Sequence, residues 1–167
     1  FLIFSHKLII SHKMKKNKYL SLFLILILTF IASGIGGFVT ASFKEPWYSE
    51  IVLPSFNPPS WVFAPVWTAL YILMSIAAWR IWIKFTDRKI LSIYFYHLFF
   101  NGTWSVVFFG FHQIQLALIN IIIILIFIVV LMKIYLNKDK LSFFIMVPYF
   151  LWTLYALVLN TEITILN

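Results

Sequence analysis

The stretch "NPPSWVFAPVWTALYILM", residues 57–74, opens with two adjacent prolines and continues into an apolar, aromatic-rich run. Pro65 lies inside that run, with Trp67 and Tyr71 following it. Proline lacks a backbone donor and clashes with the carbonyl four residues earlier, so Pro65 is costly within a helix. The stretch therefore predicts a helix in which local shape matters more than regular hydrogen bonding.

Four further apolar segments accompany this one. Of the 167 residues, 63% are hydrophobic, which is more apolar surface than a soluble domain of this length can cover. Each segment has about 20 residues, enough for a helix to cross a ~30 Å hydrocarbon core. None shows the alternation of a transmembrane β-barrel strand. We predict an all-α membrane protein, a bundle of five transmembrane helices over residues 19–40, 60–83, 91–110, 115–135 and 141–160.

The basic residues predict the orientation. Of the 13 basic residues, 12 lie on one side of the predicted membrane. The exception is Lys44, in the connection after the first segment. Because cytoplasmic connections are enriched in Lys and Arg, the N-terminus should be inside and the C-terminus outside. No nucleic-acid partner is predicted, since these charges flank membrane segments. The other 12 basic residues are Lys7, Lys13, Lys15, Lys16, Lys18, Arg80, Lys84, Arg88, Lys89, Lys133, Lys138 and Lys140.

The N-terminal segment 1–18 is basic and precedes a single predicted domain over residues 19–167. The chain begins with Phe1, whereas Met14 opens "MKKNKYLSLF". We expect Met14 to be the natural start and residues 1–13 to be an upstream extension. The first apolar run is too long for the core of a typical signal peptide, so it should remain as a helix.

Small residues in the first segment leave two interpretations open. Ala32 with Gly36, and Ser33 with Gly37, form pairs spaced by four, which let helix backbones approach closely. Such pairs serve packing within a bundle or the face of a homodimer.

Three segments carry a stripe that mixes large aromatics with small or polar residues at helical spacing. The stripes indicate either an aromatic-lined ligand cavity or ordinary packing with interfacial aromatic belts. The fourth segment is almost purely aliphatic and should lie largely against lipid. The stripes comprise Ser60, Ala64, Trp67, Tyr71, Met74 and Ala78; Tyr94, His97, Asn101, Trp104, Ser105 and Phe108; and Pro148, Trp152, Ala156 and Leu159, flanked by Tyr149 and Tyr155.

Catalytic patterns are nearly absent. The chain has no cysteine and only five carboxylates, all at segment ends or in connections. His97 and His112 are too far apart on one helix to share a metal ion, so no metal site is predicted. His97 alone suits hydrogen-bonded packing better than a haem ligand.

At four places the sequence resembles the TspO/MBR family of translocator proteins, tryptophan-rich sensory proteins and peripheral-type benzodiazepine receptors. The matching stretches are "WY" at 47–48, "LPSFNPPSWVFAPVWTALYILM" at 53–74, "NGTWSVVFFG" at 101–110 and "VPYFLWTLYALVLN" at 147–160. The resemblance implies a five-helix bundle, often a homodimer. It also implies binding of porphyrins such as protoporphyrin IX and haem, of sterols and of synthetic isoquinolines. The pocket should lie under the first loop, where a bend at Pro65 would open room beside Trp67.

The resemblance also assigns residues. Trp67 and Trp152 match two tryptophans implicated in porphyrin breakdown by some bacterial members. Asn101, Trp104, Ala156 and Leu159 match positions that line the ligand cavity, and the stripe adds Tyr71 to this set. The family often has Trp where this chain has Phe56 and Gly102, and animal members have a ligand-contacting Trp where it has Leu116. We therefore expect weak affinity for synthetic ligands.

These observations predict an integral membrane receptor or sensor for tetrapyrroles, with no required cofactor and with membrane lipid and a possible second copy as partners. Nothing basic follows Lys140, so the cholesterol motif of animal members is missing and a bacterial cytoplasmic membrane is expected. Two alternatives remain: a light- and oxygen-dependent porphyrin-degrading enzyme using Trp67 and Trp152, or a tetrapyrrole or sterol transporter.

Overall fold

A computed structural model describes residues 17–167, and this part of the chain contains helices and no strands. The prediction of an all-α protein is therefore confirmed for these residues. The expectations about Met14 and residues 1–13 lie outside the described residues. The helices are α1 (Lys18–Phe43), α2 (Trp47–Glu50), α3 (Ser60–Phe85), α4 (Arg88–Ser105), α5 (Ile114–Lys138) and α6 (Lys140–Leu166), with a π-helical turn Val106–Gly110 extending α4.

Four of these helices, α1, α3, α5 and α6, are long and apolar enough to cross a membrane. Helix α4 has 18 residues, among them Arg88, Lys89, His97 and Asn101, and it gains length only through the π-helical turn. The fifth span and the orientation in the membrane therefore stay predictions. Helix α3 continues through Pro65 without a break.

The five long helices form a closed ring in the order α1, α3, α6, α5, α4, with each packed against its two neighbours in that order. Because nearly every helix face is apolar, the inner faces are distinguished by small, polar and aromatic residues. Helix α5 departs from the expectation that it lies largely against lipid. Its inner face is buried against α4 and α6, and only its other face is exposed. The buried residues are Ala117, Asn120, Ile121, Ile124, Leu125, Ile128, Leu131, Met132 and Tyr135.

Helices α1 and α4 approach closely through two glycines. A Cβ atom on Gly36 would lie 3.2 Å from Ser105 Oγ, and one on Gly102 would lie 3.3 Å from the carbonyl oxygen of Ala32. The Ala32 and Gly36 pair thus serves packing within the bundle. A Cβ on Gly37 would meet nothing within 4 Å, because that residue faces a cavity. The homodimer stays a prediction.

The connection between α1 and α3 closes one end of the bundle, called here the loop end. Val52 exchanges two backbone hydrogen bonds with the side chain of Asn167, at 2.9 and 3.0 Å. The hydroxyl of Tyr155 donates to the carbonyl of Phe56 at 2.7 Å. The side chain of Tyr48, in α2, is buried. These contacts hold the connection against the helix ends.

Asp139 organises the opposite end, called here the basic end. Its carboxylate accepts from Arg80 Nε at 3.0 Å, from Lys84 Nζ at 2.7 Å and from Ser142 Oγ at 2.6 Å, and its side chain is only 9% exposed. Burial alone would raise the pKa of this carboxyl, but the three hydrogen bonds and the Arg80 charge outweigh it. The pKa of Asp139 is therefore well below its usual value.

We expect Asp139→Asn to lower the free energy of unfolding at neutral pH by roughly 2 kcal/mol, since Arg80 and Lys84 lose their shared partner. A carboxyl with a lowered pKa in the fold stabilises above the unfolded value of about 3.9, and this contribution is lost as the pH falls below it. Denaturant titrations in detergent should therefore show the two proteins converging in acid. Asp87→Asn is the control, because Asp87 pairs with Lys138 only at 3.9 Å and should lose less.

The absence of cysteine in the sequence allows a direct test of orientation. Ser55 is exposed at the loop end and Lys89 is exposed at the basic end. In intact cells, a membrane-impermeant maleimide should label Ser55→Cys, whereas Lys89→Cys should react only after permeabilisation. The reverse pattern would overturn the predicted orientation, and equal labelling would show that α3, the helix between the two positions, does not cross the membrane.

Candidate functional site

A cavity of about 490 Å³ occupies the loop-end half of the bundle, between α1, α3, α4 and α6, and Ile121 and Ile124 of α5 also line it. The sequence predicted seven ligand-binding residues on three separate segments, and the structure brings all seven to the wall of this one cavity. They are Trp67, Tyr71, Asn101, Trp104, Trp152, Ala156 and Leu159. The stripe residues nearer the basic end do not line the cavity. Among them, Met74, Ala78, Tyr94 and Tyr149 are buried in the core.

Aromatic rings hold the indole of Trp104 and the indole of Trp152 in place. Trp104 stacks on Phe108 with ring centroids 4.9 Å apart and an interplanar angle of 14°, and its Nε1 donates to Asn160 Oδ1 at 3.2 Å. Trp152 lies edge-on to Phe63 at 6.1 Å and 5.6 Å from Tyr155. These contacts hold the two indoles at the cavity wall.

Trp67 and Trp152 also offer free hydrogen-bond donors. Within residues 17–167, neither indole nitrogen donates to an acceptor, whereas Trp79 donates to the carbonyl of Lys18 at 2.9 Å and Trp104 donates to Asn160. Both residues are partly exposed and line the cavity, so a bound molecule could supply an acceptor to either nitrogen.

The cavity floor is polar. Tyr71 donates its hydroxyl hydrogen to Asn101 Oδ1 at 2.5 Å, and Asn101 Nδ2 donates to the hydroxyl oxygen of Tyr149 at 2.9 Å. The hydroxyl of Tyr149 lies 2.6 Å from His97 Nε2. This chain of four side chains, called here the floor network, connects α3, α4 and α6. Asn101 therefore has the partners that an intramembrane amide requires.

His97 lies beneath the cavity and outside its lining. It is fully buried and is held by Tyr149, which supports the packing interpretation over that of a haem ligand. No group of three His, Asp or Glu side chains in the described part of the chain could hold a metal ion.

Lys44 supplies the basic group at the mouth of the cavity. Its side chain is 23% exposed, with Nζ 3.0 Å from Ser60 Oγ, 3.6 Å from a Glu45 carboxylate oxygen and 5.0 Å from the centroid of the Tyr48 ring. Among the residues of this lining, Lys44 is the one base. An anionic group on a bound molecule would meet it there.

The sequence did not predict two parts of the lining. The first is a face of α1 whose small side chains leave the cavity open, namely Ser33, Gly36, Gly37, Thr40 and Ala41. The small-residue pairs pointed to this helix but did not distinguish a cavity wall from a packing face. The second is the π-helical turn, which places Phe109 at the wall beside Phe108, a residue of the predicted stripe. Such turns are common at functional sites and have no reliable sequence signal.

The three departures from the family pattern occupy different environments. Phe56 packs edge-on against Tyr155 at 6.4 Å. Gly102 lies against the backbone of α1, so a Trp there would force the two helices apart. Leu116 is 54% exposed and lies outside the lining, so it contributes nothing to the cavity.

Comparison with known proteins assigns the family. The sequence profile of the TspO/MBR family matches residues 23–166. The chain belongs to the TspO/MBR family. It is 35% identical over 144 residues to the Tryptophan-rich protein TspO of Archaeoglobus fulgidus, covering 84% of this chain and 94% of that protein. It is also 35% identical over 144 residues to the Tryptophan-rich sensory protein of Cereibacter sphaeroides, covering 85% and 91%.

A relative from an animal shares less of its length. The Translocator protein of Homo sapiens is 32% identical over 103 residues, which cover 56% of this chain and 61% of that protein. The chain is thus a membrane protein of a family whose members carry the names sensory protein and translocator protein.

We expect Asn101→Leu to lower the free energy of unfolding of the ligand-free protein by roughly 1–3 kcal/mol, because the buried Tyr71 hydroxyl loses its acceptor. The matched control is Asn120→Leu. Asn120 makes one hydrogen bond, to Thr103, and its Oδ1 has no partner, so removing it should cost less. Thermal unfolding in the same detergent measures both. A greater loss at Asn120 would show that the floor network contributes little to stability.

Proposed function

We propose that this protein is a receptor for tetrapyrroles, such as protoporphyrin IX and haem, in a bacterial cytoplasmic membrane. The observation that carries the proposal is the grouping of Trp67, Trp104 and Trp152 around one apolar cavity with Lys44 at its mouth. A volume of about 490 Å³ lies within the ~300–1,000 Å³ typical of small-molecule sites.

The shape of the walls favours a flat aromatic ligand. Indole and phenol rings stack on the faces of large π-systems, and Trp67, Tyr71 and Trp104 all line this cavity. Small side chains on two facing helices, at Ser33, Gly37 and Ala156, leave room for a broad ring. A macrocycle can thus lie between α1 and α6 with its edge on the floor network.

The polar groups favour a ligand with an anionic edge. Lys44 lies at the loop end, so carboxylates of a bound macrocycle would point toward the mouth while the ring stays among the aromatics. The free N–H groups of Trp67 and Trp152 would add two donors within the cavity. This arrangement suits a porphyrin that carries propionates on one side.

The size of the side chain at position 156 tests where the macrocycle lies in the cavity. This residue lies one helical turn beyond Trp152, on the same face of α6. We expect Ala156→Phe to weaken protoporphyrin IX binding at least about tenfold, equivalent to roughly 1.4 kcal/mol, because the added ring fills the wall. Ala156→Thr should weaken binding less. Quenching of tryptophan fluorescence by added porphyrin measures the affinity.

Leu154→Phe is the matched control for this test. Leu154 is on the same helix but is 41% exposed on the outer surface, so its enlargement should leave affinity unchanged. If Ala156→Phe binds protoporphyrin IX as tightly as the wild type, the ligand does not lie along α6.

The role of Lys44 can be separated from that of the aromatic wall by changing the ligand. We expect Lys44→Gln to weaken binding of protoporphyrin IX but not of its dimethyl ester, which keeps the ring and lacks the carboxylates. Lys140→Gln, at the basic end, should affect neither. Equal weakening for both ligands would show that Lys44 acts through the fold and does not contact a propionate.

One observation favours a second candidate function, light- and oxygen-dependent porphyrin degradation. Both Trp67 and Trp152, the residues matched to breakdown in bacterial relatives, lie at the wall of the same cavity. Absorption spectra of the protein with protoporphyrin IX, in light and in dark, distinguish the functions. A bound spectrum that stays constant in light supports a receptor, and conversion to a new product supports an enzyme.

A further inference from the structure

Tyr149 and His97 form a buried pair beneath the cavity. Both side chains are fully buried, and neither lines the cavity. The hydroxyl oxygen of Tyr149 lies 2.6 Å from His97 Nε2, and the two rings meet edge-on with centroids 5.4 Å apart. A phenol this close to an imidazole has a base within reach of its proton.

The neighbouring amide gives the hydrogen bond its direction. Asn101 Nδ2 can only donate, and it donates to the hydroxyl oxygen of Tyr149 at 2.9 Å. The hydroxyl hydrogen is therefore left for His97 Nε2, which accepts it as an unprotonated nitrogen. The proton of this neutral imidazole is then on Nδ1.

Trp67 connects the pair to the cavity. Its ring centroid lies 6.2 Å from that of Tyr149 with the rings edge-on, and its other side forms part of the cavity wall. Bound ligand, indole, phenol and imidazole would thus stand in sequence. A phenol gives up an electron much more readily when its proton passes to a base in the same step.

We propose that Tyr149 and His97 form a proton-coupled electron donor that restores Trp67 after a one-electron oxidation. The oxidant is a photoexcited aromatic ligand in the cavity, which takes one electron from Trp67 and becomes its radical anion. Tyr149 then passes one electron to the Trp67 radical cation. Its O–H bond breaks as an N–H bond forms on His97 Nε2, which gives neutral Trp67, a neutral tyrosyl radical and an imidazolium.

The hydrogen bonds select Tyr149 over a nearer tyrosine. The ring centroid of Tyr71 is 5.6 Å from that of Trp67. Its hydroxyl, however, donates to the amide oxygen of Asn101, which is too weak a base to keep a proton. Oxidation of Tyr71 would leave a radical cation with no base to take its proton, whereas Tyr149 can pass its proton to His97 Nε2.

The test needs no ligand, so its outcome is independent of tetrapyrrole binding. The full chain in lipid nanodiscs is irradiated with near-ultraviolet pulses that ionise indoles selectively, in the presence of an electron scavenger. Electron paramagnetic resonance of freeze-trapped samples then distinguishes tryptophan from tyrosyl radicals. We expect a buried tyrosyl signal in the wild type, its loss in Tyr149→Phe, and a decrease in Trp67→Phe.

His97→Gln separates proton transfer from structure, because the amide oxygen of Gln still accepts a hydrogen bond but cannot keep the proton. The tyrosyl signal should be lost in this variant. Tyr135→Phe is the matched control, since Tyr135 is equally buried but its hydroxyl has no partner within the described residues, and the signal should persist.

If a variant fails to fold, a measurement on the wild type alone still tests the proposal. Transient absorption should show slower formation of the tyrosyl radical in D₂O than in H₂O, because the proton moves with the electron. The proposal is overturned by tryptophan radicals without any tyrosyl radical, by equal rates in the two solvents, or by a full signal in Trp67→Phe, Tyr149→Phe or His97→Gln. Loss of the signal in Tyr71→Phe with retention in Tyr149→Phe would assign the donor to Tyr71.

Discussion

The hydrogen bonds of Asn101 set the height at which the bundle changes from a packed core to an open cavity. This amide accepts from Tyr71 of α3 and donates to Tyr149 of α6. Three helices are thereby joined at one level, where unpaired polar groups would be costly in a membrane. Toward the basic end the interior is filled by residues such as Met74 and Met146, both fully buried.

The cavity above this level remains open because the surrounding contacts keep its walls apart. The α1–α4 contact at Gly36 and Gly102 leaves too little room for a larger side chain, so α1 packs closely against α4. Across the cavity, Trp152 is held by aromatic contacts with Phe63 and Tyr155. The loop that ends at α3 is bound to Asn167, so this connection is held in place at the loop end.

The sequence predicted the lining well, because within one helix the spacing of residues determines which side chains share a face. Trp67 and Tyr71, or Trp152 and Ala156, are four residues apart and must point the same way. The same reasoning was less successful for α5, whose buried face carries Asn120 among aliphatic residues. With so little contrast between inner and outer residues, periodicity cannot show how much of a helix is covered.

The sequence by itself therefore determined the helical class, the separate stripes of aromatic and small residues, and a family resemblance that the comparisons confirmed. Only the tertiary structure decided what faces each stripe. The ring order of the helices brings Lys44 to the cavity mouth, and the π-helical turn adds Phe109 to its wall. The tertiary structure also pairs Tyr149 with His97, 52 positions apart in the chain. Such contacts depend on the rotation and register of whole helices, which local spacing does not specify.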